Sequence, residues 1–208
     1  MAVRVKICGM TNTQDALAAA RLGADALGFV FASSPRQISP EKARAIIKGL
    51  PPLVQTVGVF VDEDPERVER VANFCNLDLL QFHGNESPAY CCGFGRRVIK
   101  ALRLKSHQEL AGVSAYANIA GALLLDTFVP GQQGGTGLTF DWNLAREAGR
   151  YGRIILAGGL NADNVAMAIS AARPYAVDAS SGLERKPGVK DHGKMARFIE
   201  SARQATAA

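Results

Sequence analysis

The sequence predicts an α/β fold, a single-domain (β/α)8 TIM barrel spanning residues 1–208. Three observations carry this reading. Eight short runs rich in Val, Ile, Leu and Phe recur along the chain, each followed by a stretch of helical patterning. Most of these runs are near-continuously apolar, as strands of a parallel sheet covered on its outer face should be. Eight such units within 208 residues, with no linker and no second domain, favour a closed barrel over an open doubly wound sheet. The chain is short for that fold, so most connections must also be short.

The first strand covers 3–8, where Val3, Val5 and Ile7 alternate with Arg4 and Lys6 before the run stops at Cys8-Gly9. A helix cap falls within 11–13, and the alanine-rich helix 15–22 ends at Gly23, suited to the left-handed turn that closes a helix. Strand 26–31 (ALGFVF) follows, then helix 40–50, opened by Ser39 as cap and Pro40 at the first helical position. Strand 54–61 leads to helix 64–75, opened by Asp64-Pro65. Strand 79–83 (LLQFH) passes through Gly84 to a helix from about Ser87, and strand 98–104 to a weaker helical segment from Ser106. Strand 122–127 (ALLLDT) carries Asp126 at its end, and a long glycine-rich loop, 130–137, precedes a helix near Asp141-Trp142. The last strands, 153–159 (RIILAGG) and 175–182 (YAVDASSG), are followed by helices from Ala162 and from about Asp191.

Composition narrows the function. Hydrophobic residues make up 48% and charged residues 21% of the chain, ordinary for a soluble globular protein. No apolar run approaches the ~20 residues needed to span a bilayer. The N-terminus enters the first strand without a cleavable signal pattern, so a cytoplasmic protein with no membrane partner is expected. Cys8, Cys75, Cys91 and Cys92 show no CxxC or Cys/His ligand spacing, which argues against a structural metal site, and Cys75 is expected as a small buried hydrophobe. The net charge of +5 is spread along the chain, with clusters at Arg96, Arg97, Lys100, Arg103 and Lys105 and at Arg185, Lys186, Lys190 and Lys194. The first overlaps a strand and is taken as solvated surface. No basic motif with interleaved aromatics points to nucleic acid, whereas mild positive charge suits a small anionic substrate.

The candidate chemistry lies at strand ends. Gly158-Gly159 and Ser180-Ser181 close strands seven and eight, where barrel enzymes bind phosphate and where small residues allow close backbone approach. Asp178 belongs to the same segment. The 134–137 run, with Gly135, can add donors or hinge a lid. Arg36, on the long loop after strand two, has the planar guanidinium needed to hold a carboxylate through paired hydrogen bonds. Cys8 and Asp126, ending strands one and six on the same rim, suit a paired base and acid. The thiolate would take a proton and a protonated aspartic acid would give one. His83, ending strand four, fits a structural or substrate-positioning role. Plainer readings exist for each: a tight turn at Gly-Gly, a helix cap at Ser-Ser, an exposed arginine, a packed strand-end cysteine and a capping aspartate.

Taken in order, these motifs are specific. The chain resembles the phosphoribosylanthranilate isomerase family of tryptophan biosynthesis over essentially its whole length. The likeness rests on Lys6-Ile7-Cys8-Gly9, Ser34-Pro35-Arg36, Gln81-Phe82-His83-Gly84 and Leu124-Leu125-Asp126-Thr127. It continues through Gly134-Gly135-Thr136-Gly137, Phe140-Asp141-Trp142, Ala157-Gly158-Gly159-Leu160-Asn161, the run from Asp178 to Glu184, and Gly188-Val189-Lys190-Asp191. The resemblance implies an Amadori rearrangement of N-(5-phosphoribosyl)anthranilate. Asp126 is then the general acid that opens the ring, Cys8 the general base at C2′, and Arg36 the holder of the anthranilate carboxylate. Gly158, Gly159, Ser180 and Ser181 surround the phosphate. His83, Gly135 and Asp178 are grouped with the substrate-binding residues. No cofactor or metal is implied, and the assembly is expected to be a monomer or homodimer. Departures from the family pattern, at Phe82, Ala179, Leu138 and Gln132-Gln133, touch no residue with a chemical role. The histidine-pathway isomerase, with two aspartates, is disfavoured by Cys8. Indole-glycerol-phosphate synthase is disfavoured because Lys6 comes two residues too early. A non-catalytic phosphosugar-binding barrel is disfavoured because both Cys8 and Asp126 are present.

Overall fold

Side chains alternate between the two faces of a strand, so a sheet that closes on itself sorts them into an inner and an outer set. The computed structural model of the chain describes residues 2–104, 106–126 and 142–205, and it has this architecture. Eight parallel strands, β1 (Arg4–Cys8), β2 (Ala26–Val30), β3 (Gln55–Phe60), β4 (Leu79–Phe82), β5 (Arg97–Leu102), β6 (Ala122–Asp126), β7 (Ile154–Ala157) and β8 (Ala176–Ala179), form a closed barrel. Each strand pairs with its sequence neighbours, and β8 pairs back onto β1 in the register Lys6 to Asp178.

The outward set (Val5 and Ile7, Leu27 and Phe29, Leu80 and Phe82, Leu123 and Leu125, among others) packs under the helices as one large core. The inward set forms a smaller cluster that includes Val57, Ile99, Leu124, Ile155 and Ala176. Phe82 stacks outward within an aromatic group, its ring 5.1 Å from Tyr90 and 5.0 Å from Phe94, which gives this phenylalanine a packing role.

Helix starts follow the local chemistry. In α1 (Thr13–Arg21), α2 (Pro40–Ile47), α3 (Pro65–Cys75) and α4 (Pro88–Cys91), the side chains of Asn12, Ser39, Asp64 and Ser87 accept from backbone N–H groups of the first turn, and the last three helices begin on proline. The fourth helix is only one turn long, because Gly93 and Gly95 follow it closely. The segment after β5 splits into a 3-10 turn, His107–Glu109, and the short α5 (Leu110–Ser114). Next come α6 (Trp142–Ala148), α7 (Val165–Ala172) and α8 (His192–Gln204). The start of α7 falls later than Ala162 because Asn161 and Asn164 hold the preceding turn through side-chain bonds to the backbone. The last strand also ends earlier than its sequence run: Ser180 leaves the strand conformation, and a 3-10 turn, Ser181–Leu183, leads into an unforeseen hairpin of β9 (Glu184–Lys186) and β10 (Val189–Lys190).

The first basic cluster is not all surface. Lys100 is fully buried on the outward face of β5. Its Nζ donates to the Gly84 carbonyl at 2.7 Å and to Glu86 Oε2 at 2.8 Å. Glu86 in turn accepts from the backbone of Asp62 and Gly84. A charge can sit at this depth because its partner and two open loops meet it there. Glu86→Ala leaves the Lys100 ammonium buried without its partner, with an expected loss of ~3–5 kcal/mol in urea unfolding. A loss below about 1 kcal/mol would show that the pair does not hold these loops together.

Candidate active site

Alternation fixes which strand-end side chains reach the interior. Cys8 lies two residues beyond Lys6, His83 two beyond Gln81, Asp126 two beyond Leu124 and Asp178 two beyond Ala176, so each member of a pair points the same way. Together with Arg36, the 158–159 glycines and Ser180 and Ser181, these side chains line a cavity of about 510 Å³ at the C-terminal ends of the strands. A smaller hollow of about 320 Å³ at the opposite ends is lined by Arg146, Arg153, Arg173 and Tyr175 and carries no acid–base pair.

Cys8 is buried against a charged layer. The Lys6 ammonium beneath it pairs with Asp178 Oδ2 at 2.8 Å, both groups being nearly inaccessible. Burial pushes the Cys8 thiol upward; Lys6 pulls it down, Asp178 pushes it up again, and the net shift is upward. Burial disfavours the Lys6 charge, but Asp178 and Cys8 outweigh it, so Lys6 is held charged. Opposite, on β2, Gly28 supplies the room: a Cβ built there would lie 2.6 Å from Cys8 Sγ.

Asp126 is bonded to its neighbour on β4. His83 Nε2 lies 3.2 Å from Asp126 Oδ2, and its Nδ1 lies 3.1 Å from Gln81 Nε2. Gln81 is buried, and its Oε1 has no hydrogen-bond partner among the described residues; the same holds for Asp178 Oδ1. Both residues line the cavity.

Arg36 is clamped rather than loose. Its Nε and Nη2 donate to the two Glu184 oxygens at 2.8 and 2.7 Å, a bidentate pair that leaves three of the five guanidinium N–H donors for a ligand in the cavity it lines. Glu184, at the start of β9, also accepts from Lys190 Nζ at 2.9 Å; Lys190 is fully buried and reaches the Ser180 carbonyl at 3.2 Å. Burial alone would raise the Glu184 carboxyl, but Arg36 and Lys190 outweigh it and hold it below the usual carboxylate value. The loop after β1 must pass close beneath this clamp: Gly9 has φ +80, and a Cβ there would lie 2.7 Å from Arg36 Cδ.

The ends of β7 and β8 form the opposite wall. Gly158 and Gly159 have φ +85 and +66, a left-handed conformation that brings bare backbone to the cavity wall. Ser180 donates from Oγ to the Cys8 carbonyl at 3.1 Å, which ties the wall to β1. Close backbone approach beside hydroxyls suits a phosphate. Among the described residues, no three His, Cys, Asp or Glu side chains are placed to hold a metal ion. No described helix is long and apolar enough to cross a membrane.

Comparison with known proteins agrees with this geometry. Residues 5–201 match the family model described as N-(5'phosphoribosyl)anthranilate (PRA) isomerase. The chain belongs to the phosphoribosylanthranilate isomerase family. It is 54% identical over 203 residues to the N-(5'-phosphoribosyl)anthranilate isomerase of Acidithiobacillus ferrooxidans, covering 97% of this chain and 98% of the relative. It is 50% identical over 203 residues to that of Pelobacter propionicus, with 97% and 96% covered. The crystal structure of the Thermotoga maritima phosphoribosyl anthranilate isomerase superposes with a TM-score of 0.91 at 46% identity, covering 97% and 99%. A phosphoribosyl anthranilate isomerase solved in complex with reduced 1-(o-carboxyphenylamino)-1-deoxyribulose 5-phosphate gives 0.88 at 43% identity, with 97% and 99% covered.

The fold therefore brings together Cys8, Arg36, His83, Asp126, Gly158, Gly159, Asp178, Ser180 and Ser181. Gly135, with the rest of the 130–137 loop, Thr127 and the Phe140-Asp141 pair, lies outside the described residues. Sequence reasoning missed Lys6, Gln81 and Gly28, although Lys6 and Gln81 stand two residues before Cys8 and His83 and so share their face. It also missed the Glu184–Lys190 clamp, which depends on a hairpin with no advance signal beyond a glycine at 188.

Two outcomes follow for this family member. Gly28→Ala forces Cys8 Sγ aside, so activity is expected to fall at least ~10-fold while circular dichroism stays unchanged; unchanged turnover would show that Cys8 moves without consequence. Glu184 has a lower pKa folded than unfolded, so its stabilisation is present above its ordinary value of 4.5 and disappears as pH falls through the depressed folded value. Glu184→Gln is expected to cost ~3 kcal/mol at about pH 7, with the gap to the parent narrowing as pH falls below 4.5. A gap independent of pH would remove the ion pair as its cause.

Proposed function

We propose that this chain catalyses the Amadori rearrangement of N-(5-phosphoribosyl)anthranilate to 1-(2-carboxyphenylamino)-1-deoxyribulose 5-phosphate, with Asp126 as general acid and Cys8 as general base. The observation that carries this reading is the meeting, in one cavity, of a thiol and a carboxyl with a guanidinium and a glycine- and serine-walled end. The relative solved with a reduced carboxyphenylamino-deoxyribulose phosphate supports the same class of occupant here.

The steps balance with protons alone. The anthranilate nitrogen lone pair pushes out the ring oxygen as Asp126 delivers its proton there, giving an open-chain Schiff base. The Cys8 thiolate removes the C2′ proton, and the electron pair moves towards nitrogen to give an enolamine. Transfer of the proton from Cys8 to C1′, with loss of the 2′-hydroxyl proton to the Asp126 carboxylate directly or through solvent, yields the ketone and restores both groups. Arg36, oriented by Glu184, holds the carboxylate through its remaining donors, while Gly158, Gly159, Ser180 and Ser181 hold the phosphate. Asp178 and His83 touch the substrate or brace those that do. No organic cofactor enters this sequence. The reaction belongs to tryptophan biosynthesis and, in this reading, takes place in the cytoplasm.

A structure of monomers of a dimeric Thermotoga maritima enzyme, 42% identical with a TM-score of 0.87, makes a homodimer a natural assembly to test beside the monomer.

Substrate fluorescence disappears on rearrangement, so turnover can be followed directly. Cys8→Ala and Asp126→Asn are each expected to lower the rate by roughly 10²–10⁴. Survival of activity in Cys8→Ala would remove the base, and a folded parent without turnover would remove the function. The active form of Cys8 is the thiolate and its pKa is raised above 9.0, so kcat/KM is expected to keep climbing with pH through 9. A plateau already reached near neutrality would contradict a buried thiol as the base.

A further inference from the structure

The chain of contacts Gln81–His83–Asp126 fixes more than position. Gln81 is 1% exposed, and it faces the cavity two residues before His83 on the same side of β4. Its Nε2 meets His83 Nδ1 at 3.1 Å, and His83 Nε2 meets Asp126 Oδ2 at 3.2 Å. With the amide oriented as in the structure, its NH2 donates to Nδ1, which then presents a lone pair and leaves the imidazole proton on Nε2, directed at Asp126. An imidazolium would set N–H against NH2 at this contact. With the amide turned over, Oε1 would face Nδ1 and draw a proton onto it, favouring the cation. The amide orientation therefore favours one form of the ring over the other beside the acid.

That charge matters for a proton donor. A cation bonded to Asp126 would favour its ionised form before substrate arrives. A neutral N–H donor is compatible with a protonated carboxyl and becomes a charge-assisted bond once the proton has left. Support thus increases as the proton is transferred, which is where catalysis needs it. Among the described residues, the other ionisable groups round this cavity are Cys8 on β1, Asp178 on β8, with Lys6 paired to it from below, and Arg36 on the loop after β2, while Glu86 and Lys100 pair behind the His83 loop.

We propose that Gln81 is a positioning residue for the isomerase reaction: its buried amide holds His83 as the neutral Nε2–H tautomer, which keeps Asp126 available as the acid. This rests on Asp126 being the general acid. The test combines long-range proton–nitrogen NMR of the histidine rings with kinetics of the parent and of Gln81→Glu and Gln81→Leu. With His83→Asn used to assign the signals, the parent is expected to show His83 neutral and protonated on Nε2 at neutral pH. A carboxylate at position 81 accepts from Nδ1–H and converts His83 to imidazolium. Gln81→Glu is then expected to lose roughly tenfold or more in kcat with KM nearly unchanged, and to recover as pH rises and the ring loses its proton. Gln81→Leu should lie between the two in kcat and lose the tautomer preference. A parent His83 found as imidazolium or as the Nδ1–H form overturns the proposal, whether or not the variants fold. So does full kcat in a Gln81→Glu protein whose His83 is charged. The expected tautomer in a parent that shows no turnover would overturn the isomerase reading instead, and with it the catalytic half of this proposal.

Discussion

Closure of the sheet is the constraint from which the site follows. Because β8 pairs back onto β1, the inward side chains at the strand ends have only one space to share. Below them the interior is filled by Val57, Leu124, Ile155 and their neighbours, so the strand-end groups face an open cavity on one side and a solid floor on the other. A cysteine, a histidine and two aspartates separated by as much as 170 residues of sequence thus become neighbours through strand parity alone. The same closure puts Lys6 and Asp178 in direct register, and their ion pair forms the part of the floor under Cys8.

Buried charge serves a second purpose at the rim, where the loops have little apolar surface of their own. Lys100 gathers the ends of β4 and the Asp62 and Glu86 turns; Lys190 gathers Ser180, Glu184 and, through Glu184, Arg36. Asp15 adds a third junction, accepting from the Lys190 backbone at 2.8 Å and from His192 Nε2 at 2.8 Å, which ties α1 to the hairpin and to α8. Each lysine meets a carboxylate and a carbonyl, so its charge is compensated while its reach fixes a loop. Short helices such as α4, with one turn and one buried residue, gain from such locking what they lack in packed area.

The strands and most helix starts were legible because they depend on local chemistry: apolar runs, a Ser or Asp cap, a proline behind it. The reactive residues were legible because they stand at strand ends, where parity and position suffice to place them. Their supports were harder to see. Lys100 looked like part of a solvated cluster because sequence shows its charge but not Glu86, fourteen residues earlier, which folds back over it. Glu184 and Lys190 meet only because Ser180 breaks the strand and a hairpin forms after it, and no periodicity in 180–190 announces that turn. Gly28 carried no signal of its own inside the apolar strand 26–31, and its lack of a side chain acquires meaning only once Cys8 faces it.

The distribution of charge round the cavity bears on the two proton-transfer roles proposed for Cys8 and Asp126. On the Cys8 side Lys6 beneath the thiol and Lys190 from the hairpin favour the thiolate, while burial and Asp178 oppose it and hold the thiol above its ordinary value. On the Asp126 side, three strands round the barrel, one bonded neighbour is the His83 imidazole, whose other nitrogen meets the Gln81 amide, and Lys100 of the adjacent β5 points outward to Glu86. Cations beside a thiol favour loss of its proton, while a neutral donor beside a carboxyl allows it to keep one. Lys6 and Lys190 thus offset part of the burial that keeps the thiol protonated, which is the bias that the proposed base requires.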